Sequence, residues 1–162
     1  MKIILNEAEQ KLSIYLAKSR YKNARKKSIE NRKIGPQSNE LTDLNGIGAE
    51  IAYCKVNNCY PDTSITEKLP FADALTHEGN FIDVKNTTYS SGHLVAARWK
   101  TGEGVDYYCL VVGNFPEYRI AGYMKKDELL KKSRLKDLGH GAGFAATQNE
   151  LIEKIVHDQF FC

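Results

Sequence analysis

Four ionisable residues in the middle of the chain have the types and spacing of a metal site. Asp83 and Lys85 lie two apart in the run 81–87, whose alternation and β-branched residues predict a strand, so their side chains share one face. Asp73 lies in an earlier strand-like run, and a hairpin would bring it near Asp83. Glu50 lies in a predicted helix and supplies a third carboxylate. Because Mg²⁺ prefers oxygen ligands, this set predicts a magnesium site.

Such a site has the parts needed to hydrolyse a phosphodiester. That reaction needs a nucleophilic water and stabilisation of negative charge, and Mg²⁺ can help with both. The carbonyl of Val84 points sideways from the strand and is a further candidate ligand. Nearby carboxylates favour the charged form of Lys85, so an electrostatic role is preferred over that of general base. We therefore expect catalysis by Glu50, Asp73, Asp83 and Lys85, with Mg²⁺ (or alternatively Mn²⁺) held by the three carboxylates and Val84.

The elements that must position these residues follow from hydrophobic periodicity and turn signals. Asn6 and Glu9 form a capping-box pattern at the start of the first helix, and glycines at 46 and 48 suggest a close backbone approach near the start of the second. The order predicts an α/β (α+β) fold with a mixed central sheet flanked by helices. The predicted elements are helices at 6–32, 43–58, 125–132 and 149–160, strands at 71–75, 81–87, 90–99, 106–112 and 115–123, and a flexible glycine turn at 139–143.

Length and composition indicate a single globular domain. The chain has 162 residues, of which 42% are hydrophobic and 27% charged. No apolar run approaches the roughly 18 residues of a membrane span, so no membrane partner is expected. The N-terminus lacks the layout of a signal peptide, which favours a cytoplasmic location. None of the four cysteines has zinc-ribbon or C-x-x-C spacing.

Positive charge is concentrated at the N-terminal end. Residues 1–40 hold ten lysines and arginines against four glutamates, whereas the remainder is slightly acidic. We expect a basic helical segment over 1–36, packed on or extending from a core at 37–162, and such a segment suits a polyanion. A solvated helix face is the alternative. The candidate nucleic-acid contacts are Arg20, Lys22, Arg25, Lys26 and Lys27, with Thr87, Arg98 and Lys100 beside the predicted site.

The acidic motif resembles that of a known superfamily. The sequence from Pro61-Asp62 through Asp73 to Asp83-Val84-Lys85 resembles the signature of the PD-(D/E)XK nucleases, and Glu50 matches their helical glutamate. The run from about residue 44 to 130 is similar to small phage-type members, for which the cytoplasm would be that of the host. The resemblance implies a restriction-endonuclease-like core and a Mg²⁺-dependent DNA endonuclease, with a homodimer as one arrangement for cutting two strands.

The sequence is compatible with several alternatives. Asp62 follows a proline, as in the literal motif, but Asp73 lies in the strand-like run before Asp83, so the first aspartate role is assigned to Asp73 with Asp62 as the alternative. A nuclease acting on RNA or on structured junctions is compatible with the same residues. So are a non-catalytic nucleic-acid-binding or inhibitor protein on the same fold, and an interaction protein in which these charges form salt bridges.

Overall fold

The computed structural model describes residues 1–26, 38–66, 72–139 and 141–155. Within these ranges the chain forms three α-helices and eight strands, which confirms the predicted mixed α+β class. The helices are α1 (Glu7–Lys26), α2 (Asn39–Asn57) and α3 (Lys126–Leu129). The strands are β1 (Ile3–Ile4), β2 (Ala74–Leu75), β3 (Phe81–Thr87), β4 (Leu94–Ala97), β5 (Tyr107–Asn114), β6 (Glu117–Lys125), β7 (Leu135–Asp137) and β8 (Ala142–Ala146).

The central sheet has five strands in the order β1-β6-β5-β3-β2. β3 and β5 run parallel, while the other neighbouring pairs are antiparallel, so the sheet is mixed as predicted. A second, three-stranded antiparallel sheet has the order β4-β8-β7. The parallel register places Asp83 opposite Tyr108 and Lys85 opposite Leu110.

Two hydrophobic clusters cover the two faces of the central sheet. On one face Ile82, Val84 and Val111 pack with residues of α1 and α2. On the other face Tyr108 and Leu110 pack with residues of β4, β8 and α3. Because side chains alternate along a strand, Asp83 and Lys85 point to the face of Tyr108 and Leu110, away from α2.

The helix starts follow local sequence signals. Asn6 and Glu9 form the predicted capping box, with each side chain accepting a hydrogen bond from the other residue's backbone N–H. Ser38 caps α2, so this helix begins four residues before the predicted start at 43. Only one of the two early glycines has the predicted close approach, because a Cβ at Gly48 would collide with the Tyr118 hydroxyl. None of the helices in the described ranges is both long and apolar enough to cross a membrane.

The C-terminal third differs most from the prediction. The expected helix at 149–160 is wrong over its described part, where a short 3-10 turn at Gln148–Glu150 is followed by a bridge between Ile152 and Tyr123. Backbone pairing with β6 outweighs the apolar periodicity there. The predicted glycine turn instead leads into β8, and the charged helix at 125–132 is shortened to α3. The part of the first helix predicted beyond Lys26 lies outside the described residues.

Candidate active site

Asp73 lies beside Asp83 at the edge of β3. The Asp73 N–H donates to the carbonyl of Ile82 at 2.9 Å, and the Val84 N–H donates to Asp73 Oδ2 at 2.8 Å. Asp73 therefore contacts the residues immediately before and after Asp83. The strand at 71–75 is shorter than predicted, since β2 begins at Ala74, but Asp73 still contacts the backbone of the two residues that flank Asp83.

Asp83 is a buried carboxylate held between two lysines. Its side chain is only 3% exposed. Lys85 Nζ donates to Oδ1, and Lys100 Nζ donates to Oδ2 at 3.1 Å. A carboxylate removed from water is stable as an anion only when paired in this way. Lys100 is also a predicted phosphate contact, and in this structure its ammonium pairs with Asp83.

Tyr108 forms the floor beneath Lys85. The Lys85 ammonium lies 5.8 Å from the centre of the Tyr108 ring, within the range of a cation–π contact. The Tyr108 hydroxyl is buried and has no hydrogen-bond partner in the described part of the chain. Burial, followed by the negative charge of Asp83, raises the pKa of Tyr108, which keeps it neutral. Sequence reasoning missed this residue because the register of β3 on β5 has no local signal.

Glu50 belongs to a separate ion-pair cluster. Its Oε2 lies 3.2 Å from Nη1 of Arg20, and Nη2 of Arg20 lies 3.5 Å from Oδ2 of Asp62. The three side chains are 10–14% exposed. Arg20 also donates to the backbone carbonyls of Asp62 at 2.6 Å and Ser64 at 3.0 Å. The guanidinium predicted to contact nucleic acid is thus largely buried and joins α1, α2 and the loop after α2.

The Cys54 thiol is buried on α2. Burial raises the pKa of its thiol to about 12, with further contributions from Cys59 and from the charges of Glu50 and Asp73. Both carboxylates therefore lie within electrostatic range of this one side chain. Among the described residues, Cys54, Cys59 and Cys109 are free thiols.

The oxygen donors beside Asp83 fit a hard divalent cation, but the set is smaller than predicted. In the described ranges, no three His, Cys, Asp or Glu side chains are grouped closely enough to hold a metal ion, so Glu50 does not join the two aspartates. Asp73 and Asp83 remain. The Val84 carbonyl points to the same edge as its N–H, toward Asp73. Two carboxylates and one carbonyl match the few protein ligands that Mg²⁺ takes when water and phosphate complete its shell.

The other basic residues predicted to contact nucleic acid lie near the end of α1 or beyond it. Lys22 and Arg25 are exposed, and the Arg25 guanidinium lies 5.4 Å from the centre of the Tyr21 ring. Lys26 is the last residue of α1, and Lys27 lies outside the described residues. Of the predicted contacts on this helix, Lys22 and Arg25 are therefore exposed, whereas Arg20 is largely buried.

Two other predicted nucleic-acid contacts lie at the end of β3 and just after β4. Thr87 is the last residue of β3, as predicted, and its hydroxyl accepts a hydrogen bond from the Tyr89 N–H at 3.3 Å. Arg98 is exposed in the turn that follows β4, next to the exposed Trp99. This turn continues to Lys100, so the Asp83 site and the exposed Arg98 belong to neighbouring surfaces.

Comparison of the chain with protein-family models and with curated protein sequences finds no match. The resemblance to PD-(D/E)XK nucleases therefore stays a prediction.

Proposed function

We propose that this protein is a Mg²⁺-dependent endonuclease that hydrolyses phosphodiester bonds in DNA on a restriction-endonuclease-like core. One observation carries the proposal: Asp73 contacts the backbone on both sides of Asp83, whose carboxylate is paired with Lys85. Two acids on adjacent chain segments, with a lysine two residues after the second, provide the oxygen donors and the cation that phosphodiester hydrolysis requires.

Each residue has a distinct part in this proposal. Asp73 and Asp83, with the Val84 carbonyl, would hold the metal ion. Mg²⁺ supplies Lewis-acid activation of water and of the phosphoryl oxygens when bound. Lys85, oriented by Asp83 and the Tyr108 ring, stabilises negative charge that develops on the phosphate. Asp73 is preferred over Asp62 for the first aspartate role because Asp62 pairs with Arg20.

DNA is the proposed partner, held through exposed cations such as Lys22, Arg25 and Arg98. These contacts would neutralise backbone phosphates without reading sequence. A homodimer and a cytoplasmic location complete the proposal as predictions from the sequence.

A salt-bridge cluster in an interaction or nucleic-acid-binding protein is the second candidate. Both oxygens of Asp83 are paired with lysines, and Glu50 is paired with Arg20, so the acids also have structural partners. In that case the wild type would not cleave nucleic acid, and replacing Asp83 would change only the stability of the protein.

Cleavage of supercoiled plasmid in Mg²⁺ separates the two candidates. We compare the wild type with Asp83→Asn, which keeps the shape and an acceptor oxygen while removing the charge, and with Asp127→Asn, an exposed acid on α3, as the matched control. The nuclease proposal predicts nicking or linearisation by the wild type and by Asp127→Asn. It predicts loss of cleavage in Asp83→Asn and on addition of EDTA.

The same assay with RNA and with branched DNA identifies the kind of nucleic acid that is cleaved. If the protein cleaved only RNA or only branched DNA, the proposed metal-dependent hydrolysis would stand, and that nucleic acid would replace duplex DNA as the proposed substrate. Absence of metal-dependent cleavage on all three substrates by a folded wild type would refute the nuclease proposal.

A further inference from the structure

Lys100 reaches the buried Asp83 carboxylate from outside the central sheet. It lies three residues after β4, and its backbone N–H donates to the Ala97 carbonyl at 2.9 Å, which closes the turn. Its side chain extends to Asp83 Oδ2 at 3.1 Å. Asp83 thus has one ammonium partner from its own strand and one from a separate turn.

Two ammonium groups exceed the charge of one carboxylate. A divalent cation approaching Asp83 would meet repulsion from both lysines and would compete with Lys100 for Oδ2. Binding of Mg²⁺ at Asp83 is therefore favoured by the departure of one ammonium group.

The two lysines differ in how firmly they are held. Lys85 is fixed on β3, donates to Oδ1, lies against the Tyr108 ring and is 28% exposed. Lys100 projects from a turn and is 38% exposed, with Asp83 as the acceptor shown for its ammonium. Lys100 therefore has the shorter path to solvent and the lower cost of leaving.

We propose that Lys100 is an exchangeable counter-ion of Asp83. It pairs with Oδ2 when no divalent cation is bound, gives way when the cation binds, and its ammonium then pairs with a backbone phosphate of the nucleic acid. Lys100 is thus a positioning residue that couples metal binding to substrate binding. The inference rests on the proposed function, whose metal site it deepens.

Titration of the protein alone with Mn²⁺ by isothermal calorimetry tests the exchange without any cleavage assay. The variants are Lys100→Met, Lys100→Arg and, as a control, Lys136→Met on the exposed strand β7. Lys100→Met should bind Mn²⁺ about threefold or more tightly, as expected for loss of a partly exposed competing cation. Lys100→Arg and Lys136→Met should stay near the wild-type affinity, because each keeps a cation on Asp83.

The second half of the inference is tested by DNA binding at saturating Ca²⁺. Lys100→Met should bind DNA more weakly. The magnitude of the slope of log affinity against log salt concentration should decrease by about one, which corresponds to the loss of one phosphate contact. If Lys100 only stabilised the fold, the Lys100→Met variant would bind the metal ion with lower or unchanged affinity.

The outcomes separate the inference from the proposal beneath it. Mn²⁺ binding by the wild type, lost in Asp83→Asn, with equal or weaker binding in Lys100→Met, would overturn the counter-ion role and leave the nuclease proposal intact. Tighter Mn²⁺ binding by Lys100→Met with no change in DNA affinity or salt slope would overturn the coupling to phosphate. No Mn²⁺ binding by folded wild type and variants would overturn both.

Discussion

At the scale of single residues, the buried carboxylate of Asp83 needs stabilising partners. A carboxylate with 3% exposure needs partners that offset its lost hydration, and the two lysine ammonium groups supply them. Asp73 differs, because it is half-buried and has one oxygen on the Val84 N–H. Replacing Asp73 can therefore separate a role in metal binding from a role in folding.

We expect Asp73→Asn to weaken metal binding about tenfold or more while changing the free energy of unfolding by less than about 1 kcal/mol. The asparagine oxygen can still accept from the Val84 N–H, but it no longer carries charge. Asp73→Ala removes the acceptor too and should cost about 1–2 kcal/mol in addition. Urea unfolding and Mn²⁺ titration measure the two effects. Unchanged Mn²⁺ affinity in Asp73→Asn, together with loss of stability in both variants, would assign Asp73 a purely structural role.

At the scale of elements, Arg20 fixes how α1 meets α2 and the loop after it. The Arg20 guanidinium contacts Glu50 on α2 and residues 62 and 64 of the loop, and Asn23, one turn later, donates to the Ile65 carbonyl at 3.2 Å. The N-terminal helix is therefore attached to the core through a buried polar cluster as well as through apolar packing. This attachment was one of the two arrangements expected from the sequence.

Replacing Arg20 with methionine should destabilise the protein by roughly 3 kcal/mol, because it removes a buried cation that lies between two largely buried carboxylates. The matched control is Lys22→Met, an exposed position two residues away on α1, for which we expect a change within about 0.5 kcal/mol. Chemical denaturation followed by circular dichroism measures both. A small effect of Arg20→Met, similar to that of the control, would show that the cluster contributes little net stability.

At the scale of the whole molecule, β5 joins the two hydrophobic clusters. Alternate residues of this strand enter opposite faces of the sheet, with Cys109 and Val111 on the side of α2 and Leu110 on the side of the second sheet. A strand buried on both faces couples the two layers, so they should unfold together. The site lies on this shared framework, with Asp83 in register with Tyr108.

Leu110→Ala should lower the free energy of unfolding by about 2–5 kcal/mol, because Leu110 is fully buried. Leu135→Ala on β7 is the control, since Leu135 is 39% exposed and should cost much less. Fluorescence of Trp99, beside the site, and far-ultraviolet circular dichroism should follow one transition in both variants. Two separated transitions would contradict coupling of the layers through β5.

Local patterns accounted for much of the architecture. The capping box at Asn6 and the bounds of β3 follow from interactions within a few residues, so the sequence alone predicts them. The second sheet was not predicted, because β7 and β8 are short, glycine-flanked and defined only by their partners. The same holds for Ile152, whose pairing with Tyr123 replaces the expected helix.

The sequence by itself determined that Asp83 and Lys85 share a face, because the period of a strand is two residues whatever it packs against. It also indicated that Asp73 would lie near them, because a hairpin is a local structure. Only the tertiary structure decided that Lys100 pairs with Asp83 and that Arg20 pairs with Glu50. Those pairings join segments that are distant along the chain. A long lysine or arginine side chain could pair with any of several acids, and the packing of the elements decides which carboxylate lies within hydrogen-bond distance.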